Sequence, residues 1–431
     1  MLERFFQVQA RGSTVRTELL AGLTTFLTLS YIVVVNARIL EDAGIDFGAA
    51  MVATCVAGAV GSAVMGLHAN YPVALAPGMG INAYFAYSVV GGMGYSWQVA
   101  LGAVFVSGVL MVIISALPIR KAIVRTIPPS QKTAMAAGIG AFLALIAMQQ
   151  AGVSVDDPAT LLGVGDLTSW PVILAAVGLV LVTTLDNRKV TGAILIGIIG
   201  VTVVAWVSGI ADGPEGSLVS LPPSVESSFL AFDVVGALEL GLIAVVGTFF
   251  MIDVFDTTPT LVAVMQEAGL TDEAGQTPRM GRALVADGAA TVVGACMGTS
   301  TVTSYVESAA GVRVGGRTGL TAVTVACLFL LALFIAPIAE AIPNFATAPA
   351  IFFVACVMMR SLARIDWRDL TEAVPAMVTV LAMPFTYSVS TGLGFGFIAY
   401  VLIKLSSGRA REVSAGMWIV AGLFALKFTF G

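Results

Sequence analysis

Residues 298–311 read GTSTVTSYVESAAG, a run of small and hydroxylated residues that carries a single carboxylate, Glu307. The sequence on both sides is apolar enough to lie inside a lipid bilayer. A carboxylate at membrane depth is energetically costly, so by default it indicates a substrate or proton pathway. Irregular backbone is tolerated at that depth only where protein or a cavity covers it. The stretch therefore predicts a broken membrane segment at the central site of a transporter.

The composition of the chain is that of a membrane protein. Of its 431 residues, 58% are hydrophobic and only 11% are charged, whereas a soluble domain carries about 25% charged residues. No Lys or Arg cluster indicates nucleic acid, and no P-loop, GxSxG or HExxH motif indicates an ATP-driven pump, an enzyme or a cofactor. The single histidine, His68, and the four scattered cysteines, which we interpret as packing residues, make no metal site.

Fourteen apolar segments are long enough to span or nearly span a bilayer. Their approximate bounds are 17–40, 47–66, 72–91, 96–118, 131–151, 170–185, 190–210, 235–265, 280–297, 301–315, 317–337, 346–362, 371–388 and 390–405. A further apolar stretch, 413–429, does not fit a simple alternation; it spans, lies at the interface or packs against the body of the protein. We therefore predict an all-α polytopic membrane protein.

Basic loops fall on one side of this predicted topology. The N-terminal arm and the loops after even-numbered segments are basic, whereas the opposite loops are acidic. The loop after segment 4, for example, holds Arg120, Lys121, Arg125 and Lys132. Because cytoplasmic loops are enriched in Lys and Arg, we predict that the N-terminus lies in the cytoplasm.

A weak internal symmetry indicates an inverted repeat. Residues 191–200 read TGAILIGIIG and residues 391–400 read TGLGFGFIAY, in segments 7 and 14. Seven is odd, so equivalent segments point in opposite directions, as in many transporters. Segment 3, which contains YPVALAPGMGINAYF (71–85), then pairs with segment 10, and both are interrupted. This alignment places Asn82 and Glu307 at equivalent positions, each just inside a half-helix.

Segment 8 carries two further carboxylates in GTFFMIDVFDTTPT (247–260). Asp253 and Asp256 are three residues apart and are expected on one helix face. Thr257 follows them, and Pro259 is expected to kink the helix. We predict that at least one of the two acids is functional; the alternative is that one braces a neighbouring helix through hydroxyl groups.

Other candidate residues each have a structural alternative. Glu307 could instead bond to backbone donors of the broken segment, and Asn82 could satisfy loose backbone groups near PGMG. A brace between helices explains Asp287 in segment 9 as well as a functional role does. Tyr305 and Phe85 could stack on a flat ligand, although aromatic residues in membrane helices are more often part of the core.

The candidate residues suit a planar, neutral solute that forms hydrogen bonds. Carboxylates supply acceptors and the amide of Asn82 supplies a donor. No Arg or Lys precedes residue 313 in the interrupted segments, and an anionic substrate usually requires a cation; half-helix N-termini substitute only in part. Because desolvation disfavours a buried negative charge, such carboxylates could also bind and release a proton during a transport cycle.

Four stretches resemble the nucleobase:cation symporter-2 family, and in particular its AzgA-like branch of adenine, guanine and hypoxanthine permeases. They are TELLAGLTTFLTLSYIVVVNARIL (17–40), LAPGMGINAYF (75–85), DVFDTTPTL (253–261) and GTSTVTSYVESAAGV…GGRTGLTAV (298–323). The resemblance covers nearly the whole chain in order. It implies fourteen segments in two inverted repeats of seven, with short antiparallel strands in segments 3 and 10.

The same resemblance implies a core domain (1–118 and 213–340) and a gate domain (119–212 and 341–431). It matches Glu307 and Asp256, with Asp253 as the alternative to Asp256, to the acids that bind the base, and Asn82 to a purine-recognition residue. The residues expected to bind the base are Glu307, Asp256, Asn82, Thr257, Tyr305 and Phe85, and those expected to couple protons are Glu307, Asp256, Asp253 and Asp287. Pro259 departs from the family pattern, where glycine is expected.

The implied function is import of neutral purine bases by proton symport, with elevator-like alternating access, in the inner membrane of a bacterium. A homodimer is compatible with the resemblance; a cofactor, a metal and nucleic acid are not expected. Two alternatives stay open. One is a xanthine or uracil permease of the same family, and the other is an anion transporter or channel that shares the fold.

Overall fold

The structure is a computed structural model that describes residues 2–117, 126–157, 161–214, 217–239, 243–271 and 277–430. In the first part of the chain the helices are α1 (Leu2–Phe6), α2 (Val15–Leu29), α3 (Ile32–Asp42), α4 (Phe47–Val64), α5 (Met79–Ala83), α6 (Trp97–Ala116), α7 (Pro129–Gln150), α8 (Trp170–Asn187) and α9 (Ala193–Val207). In the second part they are α10 (Val234–Ala237), α11 (Ile243–Glu267), α12 (Met280–Met297), α13 (Ser308–Val314), α14 (Gly319–Ala332), α15 (Ala336–Glu340), α16 (Asn344–Met359), α17 (Leu370–Phe385), α18 (Val389–Ser406) and α19 (Ala415–Phe430).

Ten helical stretches within the described ranges are long and apolar enough to cross a membrane. Shorter apolar helices occur at Ala193–Val207, Leu370–Phe385 and Ala415–Leu426. The chain is thus a helical multi-pass membrane protein, whereas the number of fourteen segments stays a prediction. The predicted basic residues Arg120, Lys121 and Arg125 lie outside the described residues.

The two broken segments meet through a pair of short strands, as predicted. Strand β1 (Leu75–Pro77) pairs antiparallel with β4 (Val302–Ser304), with Ala76 opposite Thr303. Pro77 has no N–H group, so a helix cannot continue through it without losing a hydrogen bond. β-Branched residues such as Val302 and Thr303 favour an extended backbone. The two strands satisfy each other's backbone groups, which lipid could not do. Because extended backbone at membrane depth must be covered by protein, the pair lies buried between helices.

The half-helices that follow the two strands begin differently. Gly78 alone separates β1 from α5, so Asn82 is the fourth residue of a helix. Three residues separate β4 from α13, so Glu307 precedes the first helical residue. The expectation that both residues lie just inside a half-helix is therefore right for Asn82 and wrong for Glu307.

The long helices pack as two groups. One group contains α2, α3, α4, α6, α11, α12 and α14 together with the two broken segments. The other contains α7, α8, α9, α16, α17 and α18. Within the first group the backbones of Gly66 and Gly319 touch, and a side chain at either position would collide with the other backbone. Small residues thus allow the close helix approach that packing in lipid requires.

Two features outside the helix groups were not resolved by the sequence. The stretch 413–429 forms α19, which packs on α18 through the ring of Phe424, 5.9 Å from that of Phe397. A spanning helix would also make this contact, so all three predicted placements stay open. A hairpin of β2 (Ser154–Asp157) and β3 (Leu161–Val164) follows α7 and was not expected.

Candidate functional site

A cleft lies between the two groups of helices, beside the half-helix α5. The first group contributes Asp256 and its neighbours on α11, together with Gly80 on α5. The second contributes one face of α7 and the end of α16. The residues that line the cleft are Gly80, Lys132, Met135, Ala136, Ile139, Ile252, Phe255, Asp256 and Met358. Its wall is mostly apolar, and Asp256 and Lys132 are its charged groups.

Asp256 and Asp253 point to different sides of α11, although a shared face was expected. Positions three apart on a helix differ in direction by about 60°. Asp256 is partly exposed in the cleft and has no hydrogen-bond partner among the described residues. Asp253 is completely buried and faces Asp287 on α12. Of these two acids, only Asp256 can therefore contact a solute in the cleft in this conformation. The helix continues through Pro259 without ending there.

Thr257 ties the strand pair to the helices behind it. Its hydroxyl donates to Oδ1 of Asp287 over 2.9 Å and lies 2.7 Å from the hydroxyl of Thr303 on β4. The backbone N–H of Ser304 also donates to it, over 3.4 Å. Thr257 is completely buried. Its predicted contact with the base stays a prediction, and in this conformation it joins α11, α12 and β4.

Glu307 is held by a residue that the sequence analysis missed. The hydroxyl of Tyr31 donates to Oε1 of Glu307 over 3.1 Å. Tyr31 is buried and lies at the interruption between α2 and α3. Glu307 is partly exposed and near enough to Asp256 for the two carboxylates to interact electrostatically. Asp256 lines the cleft and Glu307 does not, so a joint contact of the two acids with a base stays a prediction.

Asn82 has a fixed orientation in the first broken segment. Its Oδ1 accepts a hydrogen bond from the hydroxyl of Ser300, and its Nδ2 has no partner among the described residues. Because Oδ1 is engaged, the amide has only its N–H groups left to offer a ligand. Asn82 is completely buried and does not line the cleft in this conformation, so its donation to a base stays a prediction.

The two aromatic candidates are covered in this conformation. Tyr305 is buried, and its hydroxyl donates to the carbonyl oxygen of Pro77 over 2.5 Å. Phe85 is completely buried, with its ring 6.5 Å from that of Phe249. Both side chains belong to the main hydrophobic core. Their stacking on a base stays a prediction that requires a rearrangement.

Lys132 is a second residue whose place the sequence did not reveal. Its charge was attributed to a loop, but it lies in the first turn of α7 and lines the cleft with Asp256. Its Nζ lies 5.2 Å above the ring centroid of Phe255. The broken segments thus carry no cation before residue 313, whereas the opposite wall of the cleft carries Lys132.

Comparison with known proteins identifies the family of this chain. Residues 16–395 match the family profile Xan_ur_permease, described as a permease family. The chain belongs to this family, the nucleobase:cation symporter-2 permeases. Its members are transport proteins rather than enzymes.

Relatives of known name match over almost their full length. The adenine permease AdeP of Escherichia coli is 45% identical over 100% of this chain and 96% of its own. The guanine/hypoxanthine permease PbuO of Bacillus subtilis is 41% identical over 98% of this chain and 99% of its own. The names of these permeases thus cover both adenine and the oxopurines guanine and hypoxanthine.

Solved structures support the fold at low sequence identity. The transmembrane domain of the cyanobacterial bicarbonate transporter BicA superposes with a TM-score of 0.67, at 17% identity, over 89% of this chain and 97% of that chain. The structure of SLC26A9 superposes with a TM-score of 0.66, at 10% identity, over 94% of this chain and 68% of that one. At these identities the likeness concerns the fold alone.

Proposed function

We propose that this permease imports neutral purine bases, with adenine, guanine and hypoxanthine as its candidate substrates, by proton symport. The observation that carries the proposal is the cleft between the two groups of helices, into which Asp256 presents a carboxylate. Purines carry ring and exocyclic N–H groups that can donate to these carboxylates. They also carry ring nitrogens that can accept from Nδ2 of Asn82. The names of the relatives support the same class of substrate.

A moving core domain would provide alternating access. The proposed core contains segments 1–4 and 8–11, and the proposed gate contains segments 5–7 and 12–14. At one end the two helix groups are joined, since Nε2 of Gln150 donates to the hydroxyl of Tyr87 over 3.4 Å and the N–H of Val389 donates to Oγ of Ser88 over 3.1 Å.

The cleft lies toward the other end of the gate, at the first turns of α7. Lys132 lies near the start of α7 and Gln150 at its end, about 27 Å apart at the rise of an α-helix. The Lys132 end is the basic side of the predicted topology, which we assign to the cytoplasm. On this assignment, the contacts that join the two groups lie at the outer end, and the cleft lies on the cytoplasmic side.

Substrate and coupling ion are tested together in proteoliposomes that contain the purified protein. We expect labelled adenine, guanine or hypoxanthine to accumulate when the external pH is lower than the internal pH. For one proton per base, each pH unit of gradient should raise the limiting accumulation by about tenfold. An uncoupler should abolish accumulation, and replacement of sodium by choline should have no effect. Uptake of sulfate or bicarbonate in place of purines would contradict the substrate class, and sodium-dependent accumulation would contradict the coupling ion.

Substitution of Gly80 by Ala should slow transport. A Cβ at Gly80 would lie 2.5 Å from Cγ2 of Ile139, across the boundary between the proposed core and gate. Overpacking of this kind costs on the order of 1–3 kcal/mol, so we expect initial uptake to fall roughly tenfold. Initial rates at matched protein amounts measure the effect.

Two variants control for the helix change itself. Gly247→Ala makes the same substitution within α11, where nothing lies within 4 Å of the added Cβ, and should transport normally. Adding Ile139→Ala to Gly80→Ala should restore part of the lost rate. A normal rate in Gly80→Ala would mean that the two helix groups do not pass one another at this contact.

A further inference from the structure

A pair of carboxylates lies behind the cleft, away from the residues that face it. Asp253 on α11 and Asp287 on α12 are both completely buried and near enough for a carboxyl–carboxylate hydrogen bond. Three of their four oxygens, both of Asp253 and Oδ2 of Asp287, accept no hydrogen bond from any other group within the described ranges. The ion pairs found in the same ranges include neither residue. Two adjacent carboxylates without a counter-charge cannot both be ionised in a dry site.

The surrounding donors decide which carboxylate holds the proton. Oδ1 of Asp287 accepts from the hydroxyl of Thr257 over 2.9 Å and from that of Ser304 over 3.4 Å. Donors of this kind stabilise a negative charge on Asp287. Among the described residues no donor meets Asp253 with comparable hydrogen-bond geometry, and Asp256 adds a further negative charge nearby. These contacts favour Asp253 as the member that holds the proton and donates it to a carboxylate oxygen of Asp287.

We propose that Asp253 and Asp287 form a one-proton binding site that carries the coupling proton and is separate from the base-binding carboxylates. The inference rests on the proposed proton symport of purines. Symport requires that proton and base be bound at the same time. N–H donors of a bound base would hold Glu307 and Asp256 in their ionised forms, so these acids are poorly suited to carry the proton in that state. The buried pair has no such competitor.

The hydroxyl of Thr257 connects this pair to the base site. It contacts Asp287 on one side and Thr303 of β4 on the other, and β4 leads through Tyr305 to Glu307 within three residues. A shift of the broken segment on base binding would therefore change the donors that stabilise the charge on Asp287. This connection lets occupancy of the cleft alter proton binding in the pair.

The decisive variant is Asp253→Asn. An amide at this position donates permanently to Asp287 and so imitates the protonated acid without a transferable proton. In proteoliposomes we expect the variant to bind and exchange labelled purine, with an accumulation ratio that falls to about 1 and no longer changes with the pH gradient. A pH-sensitive dye should report proton entry with the base for the wild type and none for the variant. Asp186→Asn, an exposed aspartate at the end of α8, is the matched control and should accumulate purine normally.

A measurement on the unmodified protein keeps the test independent of folding. With isotope-labelled aspartate, infrared spectroscopy near neutral pH should show the carbonyl band of a protonated aspartic acid, and it should disappear in Asp253→Asn. Absence of this band in the wild type, or unchanged proton-coupled accumulation by Asp253→Asn, would overturn the inference. Sodium-driven accumulation that Asp253→Asn abolishes would also overturn it, in favour of a metal-cation site. Failure of the wild type to bind any purine would instead refute the proposed function.

Discussion

Glu307→Gln should lower purine uptake by roughly two orders of magnitude while the protein still reaches the membrane. The amide keeps the shape of the side chain, and its oxygen can still accept the hydrogen bond from Tyr31. Its NH₂ group, however, replaces an acceptor by a donor where a base N–H would bind. Leaving such partners unpaired costs about 3 kcal/mol, which corresponds to that loss. Initial uptake and equilibrium binding of labelled purine measure it.

Two further variants sharpen the role of Glu307. Glu307→Asp keeps the carboxylate but withdraws it by one methylene group, so it should retain weak uptake with a raised KM. Glu226→Gln changes an exposed glutamate in a loop and should transport like the wild type. If Glu307→Gln also transports at the wild-type rate, the carboxylate does not bind the base.

Asp256→Asn should abolish measurable purine binding. Asp256 lines the cleft and has no hydrogen-bond partner among the described residues, so its acceptor oxygens are available to a solute. The amide would again present a donor to a donor, with an expected loss of affinity on the order of 100-fold. Binding to the purified protein, measured by calorimetry, separates this effect from any defect in coupling.

Asp253→Asn should have a different effect from Asp256→Asn. Asp253 is buried away from the cleft, so its substitution should spare affinity and affect coupling. Intact affinity in Asp256→Asn together with lost affinity in Asp253→Asn would reverse the two assignments. Similar losses in both would indicate that the acids act as one unit on α11.

The two broken segments could be predicted from the sequence, whereas the geometry of the site could not. The breaks were predictable because they depend on local chemistry: a proline without an N–H group at position 77, and a run of small and β-branched residues around β4. The polytopic class followed from composition for the same reason, since lipid accepts few charges. Pairing of β1 with β4 was implied by the family resemblance, and the structure confirms it.

The direction of each acid on α11 could not be obtained in this way. A spacing of three residues is compatible with one broad face, and only the neighbours of the helix show that Asp256 meets the cleft and Asp253 meets Asp287. The contact of Tyr31 with Glu307 joins residues 276 positions apart in the chain, and local patterns carry no information about such a pair. Lys132 was missed because a charge at the start of a helix looks the same in sequence whether it faces water or a cleft.

The sequence by itself therefore determined that this chain spans the membrane, where two of its segments break and which acids are placed near those breaks. It did so because bilayer energetics and backbone hydrogen bonding act on neighbouring residues. Tertiary structure alone decided which acid meets the cleft, that Ser300 occupies Oδ1 of Asn82, and that two aspartates from different helices face one another. Those properties arise from helix rotation and packing across distant parts of the chain, which set the partners of each buried polar atom.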